Sequence, residues 1–159
     1  MKKFLPILIF VLVLCFSLGI NAEEEVRISR VLTIKGDVFV KSPDVPDAVS
    51  AHPGMALNER DIIITGKDSK AVLNVNGRAE SATVEVDENS QLMLLELKKD
   101  KKTGTENTLL DLAVGKILVK ARELRDPDSK FEVKTPTSVV GVRGTNFSVE
   151  VEAVEKKSP

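Results

Sequence analysis

Short apolar runs with a period of two, each closed by turn residues, fill this chain from Val26 to Val151. Successive side chains of a strand point to opposite faces, whereas a helix repeats its buried face every 3.6 residues, so this pattern favours half-buried strands. "VRISRVLTIKGDVFVKS" alternates in part, with Val26, Ile28 and Arg30 on one face. Beyond them Leu32 and Ile34 lie across from Val31 and Thr33, and Val38-Phe39-Val40 follows the break at Gly36-Asp37. "PDVPDAVSAHPG" is too rich in proline to lie inside a ladder. Further runs surround Gly66-Lys67-Asp68 and Asn76-Gly77, the latter a hairpin signal because both residues accept positive φ. Turns are expected at Gly66, Gly77, Gly104 and Gly115. Strands this short and evenly spaced predict an all-β fold: a compact β-roll or a solenoid-like stack, with a β-sandwich as the alternative.

Residues 105–121 read both ways. Thr103-Gly104-Thr105-Glu106 has the form of a capping box, and Leu109, Leu112 and Ala113 follow at helical spacing. As strands, Leu110, Leu112 and Val114 share a face, and Ile117 and Val119 share one after Gly115. A mid-helix glycine costs about 1 kcal/mol relative to alanine, and the neighbouring sequence is strand-like, so strands are expected. The charge run Lys98 to Lys102 is expected at a solvated hairpin tip.

Lys2 and Lys3, the uncharged stretch Phe4–Ile20, and Ala22 before Glu23-Glu24-Glu25 have the order of an export signal. Residues 1–22 are therefore expected to be a signal peptide or an uncleaved N-terminal anchor, followed by a β domain over 26–151 and a disordered tail over 152–159. Either form places the body of the chain outside the cytoplasm, periplasmic or secreted, in a bacterial envelope. The mature domain itself is not expected to insert into a membrane. Cys15 is the single cysteine, so the exported part has no disulfide and no thiolate chemistry. Setting aside Lys2 and Lys3 leaves a net charge of about −3, a poor platform for nucleic acid.

Catalytic constellations are missing from the sequence. His52 is the single histidine, beside Pro53-Gly54, and reads as a surface turn residue. Glu85 and Asp87 could share a strand face, as could Glu150 and Glu152, but carboxylates on the wet face of a sheet are its ordinary filler. No catalytic, metal or cofactor-binding residue is assigned, and the chain is expected not to be an enzyme.

"IKGDVFV", "PGMALNERDIIITGKDSKAVLNV", "VEVDENSQLML", "LLDLAVGKILVKA" and "FEVKTPTSVVGVRGTNFSVEV" together resemble the FecR domain family over roughly Ile28 to Val151. The strongest part is Thr135-Pro136, Val139-Val140, Val142-Arg143-Gly144-Thr145 and Phe147-Ser148-Val149. Thr65-Gly66, Ser69 and Ala71 form the second. Arg60-Asp61 stands where the family often has Gly-Asp. The resemblance implies a β domain in the envelope. It implies no sigma-factor regulation by itself, because only Met1 to Lys3 precede the apolar run and no receptor-contacting module is recognised after it.

Within the resemblance, Thr135, Pro136, Gly141, Arg143, Gly144, Thr145 and Asp61 read as a structural motif. Gly141 and Gly144 would let the backbone bend or bulge around Arg143. Pro136 would occupy a strand start. Arg143 would be partly buried, its fork on a carboxylate, for which Asp61 is the expected residue. The expected function is a stand-alone, exported, non-catalytic domain that binds an envelope protein or glycan as sensor, regulator or scaffold. A carboxylate-dependent glycan-acting enzyme and a homo-oligomeric structural protein remain open beside it.

Overall fold

The computed structural model describes residues 24–75, 82–121, 126–142 and 146–152. Its thirteen strands form one sheet. They are β1 (Glu24–Val26), β2 (Ser29–Lys35), β3 (Val38–Lys41), β4 (Val49–Ser50), β5 (Ala56–Leu57), β6 (Ile62–Thr65) and β7 (Lys70–Asn74). After these come β8 (Ala82–Val86), β9 (Gln91–Asp100), β10 (Glu106–Ala121), β11 (Lys130–Lys134), β12 (Val139–Val142) and β13 (Asn146–Val151). The all-β expectation holds, and of the architectures weighed the molecule is the curled, roll-like one.

β10 organises the curl. Its first half pairs with β9 and, in parallel, with β11, while its second half pairs with β8 and β13. The main path runs β4-β3-β6-β9-β10-β8-β7-β2-β5. Two wings therefore share one long strand, and their inward residues meet in one core. Val40, Ile63, Leu92, Leu94 and Leu110 come from the first wing, and Leu73, Val84, Val86, Ile117 and Val119 from the second. Fully burying such side chains contributes about 1.5–3 kcal/mol each, which lets a chain without Trp or Tyr hold a core.

The chain crosses between wings at two glycine corners of the same build. Gly36 and Gly115 have φ of 73° and 95°, a region that favours glycine. At each, the buried face changes parity: Val31 gives way to Val38 and Val40, and Leu112 to Ile117 and Val119. The residue after each glycine donates its N–H to a serine from another turn, Asp37 to Ser69 Oγ at 2.8 Å and Lys116 to Ser90 Oγ at 3.0 Å. The carbonyls of Asp37 and Lys116 then each accept an N–H from the residue three before that serine, Gly66 and Asp87, both at 2.9 Å. Each serine follows a residue of positive φ, Asp68 or Asn89. Thr65 stitches the two corners together, its Oγ1 donating to the Asp87 carbonyl at 2.6 Å and accepting the Ser90 N–H at 2.9 Å.

Several expectations need correction. Residues 106–121 are one strand, and Gly115 is a corner within it rather than a turn between two. Near the N-terminus the face is reversed: Arg27, Ser29 and Val31 point inward, leaving Val26, Ile28 and Leu32 exposed. Pro136 lies in the turn between β11 and β12, not at a strand start. Gly141 sits in regular register opposite Glu132 without left-handed backbone, and the bend expected around Arg143 lies outside the described residues. The turn expected at Gly77, the export signal over 1–22 and most of the tail fall outside the described residues. Gly66 and Gly104 do occupy turns, and Lys101-Lys102 cap the β9–β10 hairpin.

Candidate functional site

The Thr135–Val151 stretch is built around a hairpin edge. Thr135 is buried and closes the β11–β12 turn, its N–H donating to the Ser138 carbonyl at 2.8 Å and its Oγ1 accepting the Ser138 N–H at 3.0 Å. β12 then runs antiparallel to β11, with Val140 opposite Val133 and Val142 opposite Phe131. Directly opposed residues share a face, and Val133 and Phe131 are buried. Val140 thus lies on the face of Val133 yet stays exposed at the sheet edge, while Val139 and Gly141 lie on the opposite face beside Lys134 and Glu132. An open cleft of about 780 Å³ lies against Gly141, lined also by Pro127, Ser129, Phe131 and Glu132.

Among the described residues β12 pairs with β11 alone. Its free edge carries Val139, 60% exposed, Val140, Gly141 and Val142, with no charge among them. The other sheet edges are blunted in ordinary ways. β4 and β5 are two residues long, β1 carries Glu24 and Glu25, and β13 carries Glu150, ion-paired with Lys116 at 3.3 Å.

Of the acidic residues noticed in the sequence, Glu85, Asp87 and Glu150 are engaged by lysines. Glu85 accepts from Lys70 Nζ at 2.9 Å and from Lys120 Nζ, and Lys70 also meets Asp87 at 3.1 Å. The bonds from Lys120 and Lys70 hold the Glu85 carboxyl below the usual carboxylate range, the opposite of what a general acid needs. A second cleft, of about 570 Å³, lies over the glycine corners between Lys35, Asp68, Asn89, Lys116 and Glu150. His52 is exposed in a Pro53-Gly54 turn closed by Met55 N–H to the His52 carbonyl at 3.1 Å, as expected from the sequence. Among the described residues no three His, Cys, Asp or Glu side chains gather as a metal site, and no helix is long and apolar enough to cross a membrane.

Arg143, Gly144 and Thr145 lie outside the described residues, and with them the expected Arg143–Asp61 pair. Asp61 itself is buried, and its Oδ2 accepts the Asn58 N–H at 2.8 Å, closing the turn before β6. The arginine that sequence reasoning missed is Arg27, only 7% exposed. It donates to the Asn107 carbonyl at 2.9 Å and to Thr108 Oγ1 at 2.7 Å, with Glu106 at 3.6 Å. Burial lowers its pKa, and the charges of Glu106 and Glu59 oppose that shift. The signal for it was the parity of Ser29 and Val31, two and four residues on.

A family model described as FecR protein matches residues 61–158, more than half of the chain. That stretch starts at β6, yet β2 and β3 pair with β7 and β6, so the sheet extends N-terminally past it. No curated protein and no solved structure matches the chain.

Proposed function

The chain belongs to the FecR protein family, and from that premise we propose that it is an exported, non-catalytic envelope domain of the sensor or regulator type that holds a protein partner by strand addition. The observation that carries this reading is the uncharged edge of β12, which pairs with no second strand among the described residues. An unpaired strand presents a row of N–H and C=O groups that an extended segment can complete, with side-chain pockets adding specificity. This chemistry favours a protein over a glycan, because the unmet groups are spaced for another backbone. Natural sheets usually protect such an edge with a charge or a proline; β12 has neither, and it lies in the segment with the strongest family resemblance.

The test is to place a charge on the edge. Val139→Lys and Val140→Lys, each made in the full chain, should abolish crosslinked capture of the envelope partner while the melting temperature stays near wild type. Undiminished capture by both variants would refute docking at β12.

A further inference from the structure

Gly141 is a glycine that the fold does not use. Its backbone is not left-handed, and a Cβ built on it would meet nothing within 4 Å. It leaves a gap in the outer face of β12, open to the cleft beside Glu132 and Phe131. Two residues earlier, on the same face, Val139 projects as the most exposed of the large apolar side chains among the described residues. A knob and a hole therefore flank Val140 at equal distances along one strand.

That spacing is what a two-fold axis requires. In an antiparallel pair, directly opposed residues point to the same face. Two copies of β12 related by an axis through Val140 would set Val140 against Val140 on the face shared with Val133. On the outer face, Val139 of each copy would lie across from Gly141 of the other, filling the gap. No residue of β12 is charged, so no like charges meet, as they would in most strands paired with themselves. A register of Gly141 on Gly141 opposes two residues without side chains, and one of Val139 on Val139 opposes two knobs, so neither fills the gap. A contact of this kind is isologous and closes at two copies.

From this geometry we infer that the occupant of the β12 edge is a second copy of this chain, joined in the register that opposes Val140 to Val140. The inference rests on the reading of β12 as the docking edge and names its partner. Homotypic pairing extends the first wing into a sheet continuous across two molecules. It also covers the edge that would otherwise be the chain's main aggregation hazard.

Cysteine placement tests register and partner together. Cys15 is the chain's single cysteine, so a full-length Cys15→Ser background reports introduced thiols alone. Opposed Cα atoms in an antiparallel pair are about 4.5–5.5 Å apart, inside the roughly 4.4–6.8 Å span of a disulfide. Oxidation of intact expressing cells should convert Val140→Cys to a covalent dimer. Val139→Cys and Gly141→Cys should each remain monomeric alone and crosslink when co-expressed. Equal crosslinking by all three single variants would mean random collision and overturn the inference. So would monomeric Val140→Cys accompanied by photo-crosslinking from position 140 to a different envelope protein, which leaves strand docking standing. Neither a disulfide nor a photo-crosslink from β12 to any protein would overturn both.

Discussion

Replacing Gly115 with alanine should be among the most damaging single-methyl additions in this protein. At φ of 95° an L side chain is strained, at a cost of about 1–3 kcal/mol. The added Cβ would also lie 2.1 Å from Ser90 Oγ and 2.5 Å from Ser90 Cα. The hydroxyl could rotate away, giving up its bond from the Lys116 N–H and about 1 kcal/mol. The Cα cannot rotate. It is fixed by reciprocal bonds with Thr65, Ser90 N–H to Thr65 Oγ1 at 2.9 Å and Thr65 N–H to the Ser90 carbonyl at 3.0 Å. Forcing it aside adds a further ~1–3 kcal/mol, so Gly115→Ala should cost about 3–7 kcal/mol in all, a large share of an ordinary domain's stability. Three other glycines separate the contributions. Gly36→Ala combines φ of 73° with a contact to Ser69 Oγ at 2.4 Å but stands 3.1 Å from the Ser69 Cα, so it should cost less. Gly104→Ala has φ of 77° in open space and should show strain alone, about 1–2 kcal/mol. Gly141→Ala has neither and should be neutral or stabilising by up to ~1 kcal/mol. Urea unfolding followed by far-UV circular dichroism suits a chain without Trp or Tyr. If Gly115→Ala costs no more than Gly104→Ala, the corner is not the packed junction described above.

Arg27→Met keeps the bulk of a buried side chain but removes the donors to Thr108 and the Asn107 carbonyl. Because Glu106 retains Lys99 at 2.9 Å, no carboxylate is stranded, and a loss of about 2 kcal/mol is expected in the same unfolding assay. Glu85→Gln should cost about 1 kcal/mol at neutral pH. The Glu85 carboxyl is held below its usual range, so this contribution is complete above the ordinary carboxylate pKa and is lost as pH falls through the lowered folded value. Melting curves of variant and wild type should therefore converge in strong acid, and a gap that persists there would contradict the ion-pair account. Mass spectrometry of the exported protein should find Glu23 at the N-terminus if the signal is cleaved; a soluble, full-length cytosolic product would contradict export in either form. Incubation with peptidoglycan fragments should give no turnover, and activity abolished by changing one Asp or Glu would overturn the non-catalytic reading.

Period-two alternation was legible because burial on one face acts residue by residue, and β6 to β9 follow it closely, as with Ile63, Ala71, Leu73, Val84, Val86 and Leu92. It also favoured strands over the capping box at Thr103, since Leu110 and Leu112 lie inward on β10. The same rule misled at β1 and β2. There the apolar parity, Val26 and Ile28, is exposed, and the polar one is buried because distant groups satisfy it. Arg27 finds Thr108, and Ser29 Oγ donates to the Asn74 carbonyl at 2.7 Å. Partners that far along the chain leave no local trace. The β12 edge was hidden for the opposite reason: a valine run reads as core until the sheet order places, among the described residues, no strand but β11 beside it.

Two kinds of glycine link fold to function. Gly36 and Gly115 are needed because each stands at positive φ against a serine that bonds the next residue's N–H. Their two corners repeat one hydrogen-bond pattern, and Thr65-Gly66 and Ser69, the second family-like segment, supply part of both. That segment is therefore explained by folding alone. Gly141 belongs to the most family-like segment and has no such explanation, since neither its φ nor its surroundings exclude a side chain. A position where the fold would accept a larger residue, beside an exposed valine on an unpaired edge, is where a constraint from outside the molecule acts. On this reading Gly141→Val should leave stability unchanged and remove strand docking, a separation that a purely structural glycine could not produce.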